Sequence, residues 1–124
     1  MVTVINARKA VSWATTNVAA GANVAVSIRP KPGELWLITF AAARWETGSS
    51  ASTVNIVLKT PYFEHTLASA SGGTAECAFI GQLHLDYENY IIIRGYNGAT
   101  EADNLFHTVL GEKRKWATEG DTVQ

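Results

Sequence analysis

Between Gly33 and Trp45 the chain reads Gly-Glu-Leu-Trp-Leu-Ile-Thr-Phe-Ala-Ala-Ala-Arg-Trp, with apolar residues at nearly every position from Leu35 to Ala42. Regular alternation would put Leu35 and Leu37 on one face of a strand and Trp36, Ile38 and Phe40 on the other. A strand with one wet face should alternate apolar with polar, so both sides of this one need cover. Tyr90-Ile91-Ile92-Ile93 is a second segment of the same kind. One cover is the domain's own core. The other is expected to be a neighbouring subunit, because a two-layer sandwich has no third layer and monomers rarely expose apolar patches beyond a few hundred Å². Trp36, Phe40, Tyr90 and Ile92 are the residues expected at core or subunit contacts.

The rest of the chain supports an all-β reading. Short apolar segments recur, separated by Gly, Pro, Asn and Ser. Strands are expected over Lys9–Thr16, Ala22–Arg29, Gly33–Glu46, Thr53–Thr60, Tyr62–Ala70, Thr74–Leu85, Tyr90–Tyr96 and Asn104–Trp116. Val24, Val26 and Ile28 alternate cleanly, as do Val54, Ile56 and Leu58. Pro30-Lys31-Pro32-Gly33 is a turn, and Asn97-Gly98 is a strong turn signal, extended by Ala99 to Asp103. Gly81 is expected to mark a bulge or kink. About eight short strands without a convincing helix predict an antiparallel β-sandwich, and eight strands fit a jelly roll best. Residues 1–124 form one domain in this reading. The first nine residues are expected to be an N-terminal arm, and residues 117–124 a flexible tail.

Composition narrows the function classes. Hydrophobic residues make up 47% and charged residues 17% of the chain, as expected of a globular domain. A net charge of -1 gives no general attraction to nucleic acid or to an anionic membrane. No apolar run approaches the ~18 residues that a membrane helix needs. The N-terminus lacks the apolar core of a secretory signal, so synthesis in a cytoplasm is expected. The single cysteine, Cys77, cannot form an intrachain disulfide and reads as a buried thiol.

No motif names a reaction. His65, His84 and His107 form no His-x-His or His-x-x-x-His spacing. His84-Leu85-Asp86 comes nearest to a metal site but lacks a second histidine, and it reads as a strand meeting its turn. Glu64-His65 has no Gly-x-Ser-x-Gly elbow nearby. Neither a metal, a cofactor nor a catalytic residue is expected. Lys113-Arg114-Lys115-Trp116 is the sole basic run, too short for a nucleic-acid footprint. The aromatic residues allow a second reading, a carbohydrate-binding module. Trp45, Tyr62, Tyr87 and Tyr96 would then be exposed glycan or partner contacts, although packing is the better explanation of the aromatics.

Pro32-Gly33-Glu34-Leu35-Trp36-Leu37-Ile38 enters a hydrophobic strand from a tight turn. With the Ser- and Gly-rich loops and the closing strand Leu105–Trp116, it resembles small virion structural proteins of tailed bacteriophages, the jelly-roll head-decoration and spike type. The resemblance implies a non-enzymatic homo-oligomer, a trimer, bound to a capsid or tail protein. It implies a virion location after synthesis in the host cytoplasm.

Overall fold

The computed structural model describes residues 8–73 and 75–115, with side chains over 12–73 and 75–113. Eight strands follow one another: β1 Arg8–Val18, β2 Asn23–Ile28, β3 Glu34–Trp45, β4 Thr53–Lys59, β5 Glu64–Ser71, β6 Glu76–Leu85, β7 Tyr90–Tyr96 and β8 Asp103–Lys115. They form two antiparallel four-stranded sheets, ordered β1-β8-β3-β6 and β2-β7-β4-β5. Only the β4–β5 connection stays within one sheet. The other connections cross between layers, which makes the sandwich a jelly roll. The first strand runs from Arg8 to Val18, one residue earlier and two later than expected, and Arg8, assigned to an arm, pairs with Lys113. Residues 1–7 and the tail 117–124 lie outside the described residues.

The core is the interior between the sheets. Ile38, Ala41, Ala43 and Trp45 of β3 meet Leu105 and Val109 of β8, Leu85 of β6, Ile91 and Ile93 of β7, and Val54 and Ile56 of β4. Trp45 is fully buried, and its indole N–H donates to the Thr53 carbonyl at 2.9 Å. That bond satisfies the one polar atom the ring brings inside, so the ring's area counts wholly toward stability. Cys77 is buried, and desolvation pushes its thiol up to about 11, which leaves it protonated and unreactive.

Four connections, β1–β2, β3–β4, β5–β6 and β7–β8, gather at the end where Trp45 and Asp103 lie. Asp103 is buried there and accepts from the backbone N–H groups of Thr47 at 3.1 Å, Gly48 at 2.8 Å and Asn104 at 2.9 Å. Burial pushes its carboxyl pKa up, but these three donors outweigh it and hold it below the ordinary range. The sign follows from linkage: this stabilisation is present above the ordinary carboxylate pKa and is lost as pH falls through the lowered value. Asn97, also buried, donates to the Val18 and Glu101 carbonyls and ties two of the same loops together.

The central strand is not regular, and this changes which residues share a face. Ile38 and Ala41 both point inward, opposite Gly111 and Val109 on β8 and opposite Leu83 and Phe79 on β6. The same span therefore takes two residue steps on β8, three on β3 and four on β6. Thr39 is the extra residue on β3, and Gly81 and Gln82 fill the gap on β6, where a bulge was expected. Phe40 is thereby turned to the outer face, away from Trp36 and Ile38, with which simple alternation grouped it. A smaller irregularity on β5 makes Leu67 the extra residue between the partners of Ile56 and Val57. Bulges of this kind leave almost no trace in hydrophobic periodicity.

Gly111 permits the bulge. A Cβ at this position would lie 2.1 Å from the Leu37 carbonyl oxygen and 2.8 Å from the Ile38 Cα. Both are backbone atoms of the irregular segment and cannot swing aside. Gly111→Ala is expected to destabilise the fold by about 3 kcal/mol or more, the upper end for overpacking a rigid site. Urea denaturation checks this. A cost below about 1 kcal/mol would mean that β3 and β8 are not locked as described.

Candidate functional site: the two outer faces of the sandwich

A two-sheet sandwich has two outer faces, and here they differ in chemistry. On the β2-β7-β4-β5 sheet, the apolar outward residues are Ile92 and Val57, register partners on neighbouring strands. Both are buried, at 7% and 3% exposure, yet neither belongs to the core cluster. Their cover comes from the chain itself. Arg94 reaches across β4 to Glu64 with two bonds of 2.8 Å, Nη1 to Oε1 and Nη2 to Oε2. Tyr90 and Lys59 stand in the next outward row, paired with each other in register. Long polar side chains cover apolar surface with their stems while their heads stay wet. The expectation that Tyr90–Ile93 needs a neighbouring subunit is therefore corrected: Ile92 is sheltered within one chain.

The same face is closed at its far end by Arg29. Its guanidinium lies over the Tyr87 ring at 3.9 Å and the Tyr90 ring at 4.4 Å, and its Nε donates to the Tyr87 carbonyl. Tyr90 is thus engaged with its own chain.

The outer face of the β1-β8-β3-β6 sheet is different. Register places Leu110, Phe40 and Ile80 in one row across three strands. The next row holds Trp13, Thr108, Ala42 and Ala78. Ile80 is 79% exposed, Trp13 74% and Leu110 38%. Phe40, Leu35 and Leu37 are half-buried. Beside the row lies a hollow of about 300 Å³ lined by Phe40, Ala42, Arg44, Phe106, Thr108 and Glu76. The Arg44 guanidinium lies 5.2 Å from the Phe106 ring centroid. Small side chains, Ala42 and Thr108, make the floor, and Trp13 projects from the edge strand next to it.

The candidate residues from the sequence scatter over these surfaces. Trp36 packs against the core cluster, with the Lys113 ammonium 5.7 Å from its ring and Lys113 bridging to Glu34 at 3.1 Å. Phe40 lies on the open apolar face. Of the proposed glycan contacts, Trp45 is buried and is corrected to a core residue. Tyr62 is 89% exposed in the β4–β5 turn, and Tyr87 lies in the β6–β7 turn at the same end. Tyr96 is at the opposite end of β7, so the aromatics do not converge on one site. Sequence reasoning missed Ile80 and Leu110 as surface groups. A signal existed for Leu110, since Phe106 and Leu110 alternate against Leu105 and Val109 and leave β8 apolar on both faces.

The polar candidates are structural in their surroundings. His65 stacks edge-on against Phe63 at 4.4 Å, and His84 is exposed on the outer side of β6. Among the described residues, no group of three His, Cys, Asp or Glu is placed to hold a metal. Asp86 accepts from the backbone N–H groups of Glu88 and Asn89 and from the Asn89 amide, closing the β6–β7 turn. Partial burial raises the Asp86 pKa, and those donors lower it further than burial lifts it. Of the basic run, Lys113 is engaged with Glu34; the side chains that follow it lie outside the described residues.

His107 is the outlier. It faces inward between Ala14 and Ala43, is 4% exposed, and has no partner for either ring nitrogen. Burial pushes its pKa below 6.5, so the ring is neutral at pH 7. Because the unfolded imidazole takes up a proton first, its full contribution holds above about pH 6.5 and declines as pH falls below that. His107→Leu is expected to flatten this decline. Denaturation midpoints measured from pH 7.5 to pH 5.5 should fall for the parent and stay level for the variant; equal falls in both would place the titration elsewhere.

No known protein-family model and no curated protein matches the chain.

Proposed function

We propose that this chain is a non-enzymatic structural protein that assembles through the outer face of its β1-β8-β3-β6 sheet and decorates a virus capsid or tail. The observation that carries the reading is the contrast between the faces. One sheet shelters its outward apolar residues under its own Arg94, Glu64 and Lys59, whereas the other leaves Trp13, Ile80 and Leu110 in water. Selection against aggregation ordinarily removes such a row unless something covers it.

The occupant is a second copy of this chain. Trp13 is a projecting indole on the edge strand, and the hollow of about 300 Å³ beside it is large enough to receive one. The rim carries Arg44 and Glu76, opposite charges without a salt bridge to each other, which gives a neighbouring copy complementary partners. Seated head-to-tail, Trp13 of one copy in the hollow of the next, the copies close into a ring when the rotation permits. The resemblance of Pro32–Ile38 to phage decoration and spike proteins supplies the trimer and the virion. Burying apolar area at ~25 cal/mol per Å² favours association, though area alone does not set affinity.

Light scattering on a sizing column tests this. The expected mass is about 40 kDa at micromolar concentration, three times 13.4 kDa. Ile80→Lys and Trp13→Lys should each return the 13.4 kDa species with the parent's circular dichroism. A parent protein that runs as a 13.4 kDa monomer would overturn the assembly reading. Capsid or tail genes beside this one support the virion placement, and a metabolic operon counts against it.

A further inference from the structure

We infer that the outer face of the β2-β7-β4-β5 sheet carries a saccharide-binding site at the Asn23–Arg94–Asn55 cluster. The site lies on the face opposite the proposed assembly surface, so it stays open in an oligomer.

A depression of about 470 Å³ opens there, lined by Asn23 and Ala25 of β2, Arg94 and Gly95 of β7, and Thr53 and Asn55 of β4. That volume lies within the usual range for small-molecule sites and suits one or two sugar rings. The register explains the convergence: Ala25, Arg94 and Asn55 form one row across three strands, and Asn23, Tyr96 and Thr53 form the next. The outward position between Asn23 and Thr53 thus belongs to Tyr96. Below the floor, Gly95 abuts Trp45: a Cβ at Gly95 would lie 2.9 Å from the indole and 3.2 Å from the Thr53 carbonyl. The site is therefore built on rigid strands seated on the core.

The chemistry selects hydroxyls. Arg94 spends one N–H of each terminal nitrogen on Glu64, at 2.8 Å, which holds the planar fork in place. Three of its five N–H donors remain. The ion pair also offsets the charge, so an anion gains little attraction. The Asn55 side-chain oxygen is buried with no partner, an unmet acceptor that costs about 1–3 kcal/mol. Asn55 lines the depression, so a ligand that donates a hydrogen bond there can satisfy it. A carboxylate supplies acceptors alone, and inorganic phosphate near neutral pH keeps only one or two O–H donors among its oxygens. A sugar hydroxyl donates to Asn55 and accepts from Arg94 or Asn23, and neighbouring hydroxyls fit two planar amides and a guanidinium.

Amide NMR titration of the full chain with methyl glycosides of glucose, galactose, mannose and N-acetylglucosamine tests the inference. At least one should give saturable shifts confined to residues 23–25, 53–55 and 94–96, with a Kd of about millimolar, ordinary for a single-sugar contact. Asn55→Ala and Arg94→Ala should each weaken that binding tenfold or more, whereas Tyr62→Ala should leave it unchanged. The monomeric Ile80→Lys protein should bind as the parent does, which separates this inference from the assembly reading. Absence of saturable shifts with all four glycosides would overturn it. So would shifts mapping elsewhere, binding unaffected by Asn55→Ala, or the same shifts from sodium acetate or phosphate alone.

Discussion

A pair of stacked sheets offers four faces and hides two. Everything distinctive about this chain follows from what it does with the remaining two. Its interior is an ordinary apolar fill of Ile, Val, Leu and one Trp. Its exterior must handle apolar residues that alternate onto the wrong side of β3, β4, β7 and β8. Water in contact with Ile92 and Val57 is avoided by side chains of the same sheet, and the Arg94–Glu64 bridge is the visible device. That bridge is a surface ion pair, with side-chain exposures of 39% and 38%, so its own electrostatic contribution is small. Its value lies in where it holds two long stems.

Among the described residues, no such bridge spans the row of Leu110, Phe40 and Ile80 on the opposite face, and the bulge is part of the reason that row exists. Inserting Thr39 rotates Phe40 outward beside Leu110 and Ile80. Without the extra residue Phe40 would continue the inward series of Trp36 and Ile38, and the outer row would lose its middle member. Because β8, β3 and β6 spend two, three and four residue steps on the same interval, the sheet is bent where the apolar row runs. Gly111 is the permission for this. The side-chain hydrogen there is all that the Leu37 carbonyl leaves room for. A backbone irregularity thus links a core constraint to the composition of a surface.

The fold class was legible because punctuation and alternation agree over most of the chain: Val24-Val26-Ile28 and Val54-Ile56-Leu58 point inward as read, and Pro30–Gly33 turns. The double-sided character of β3 was legible too. What covers each double-sided segment was not, since shelter for Ile92 depends on Arg94 and Glu64, thirty residues apart and brought near only by pairing through β4. The side on which Phe40 falls depends on a bulge that hydrophobic periodicity does not record. Trp45 shows a further limit: an aromatic at a strand end reads as exposed, yet a single bond to Thr53 seats it in the core. The polar cluster at Asn23, Asn55 and Arg94 has no motif in the sequence, because its members come from three strands.

Assembly through the Trp13, Phe40 and Leu110 surface would give the two exteriors different fates in solution. Hydroxyl-radical footprinting across a dilution series measures this residue by residue. Trp13, Phe40 and Leu110 should be protected at high protein concentration and become labelled together on dilution, while Tyr62, exposed in either state, is labelled throughout. Labelling of Trp13 and Leu110 that does not change with concentration would contradict it.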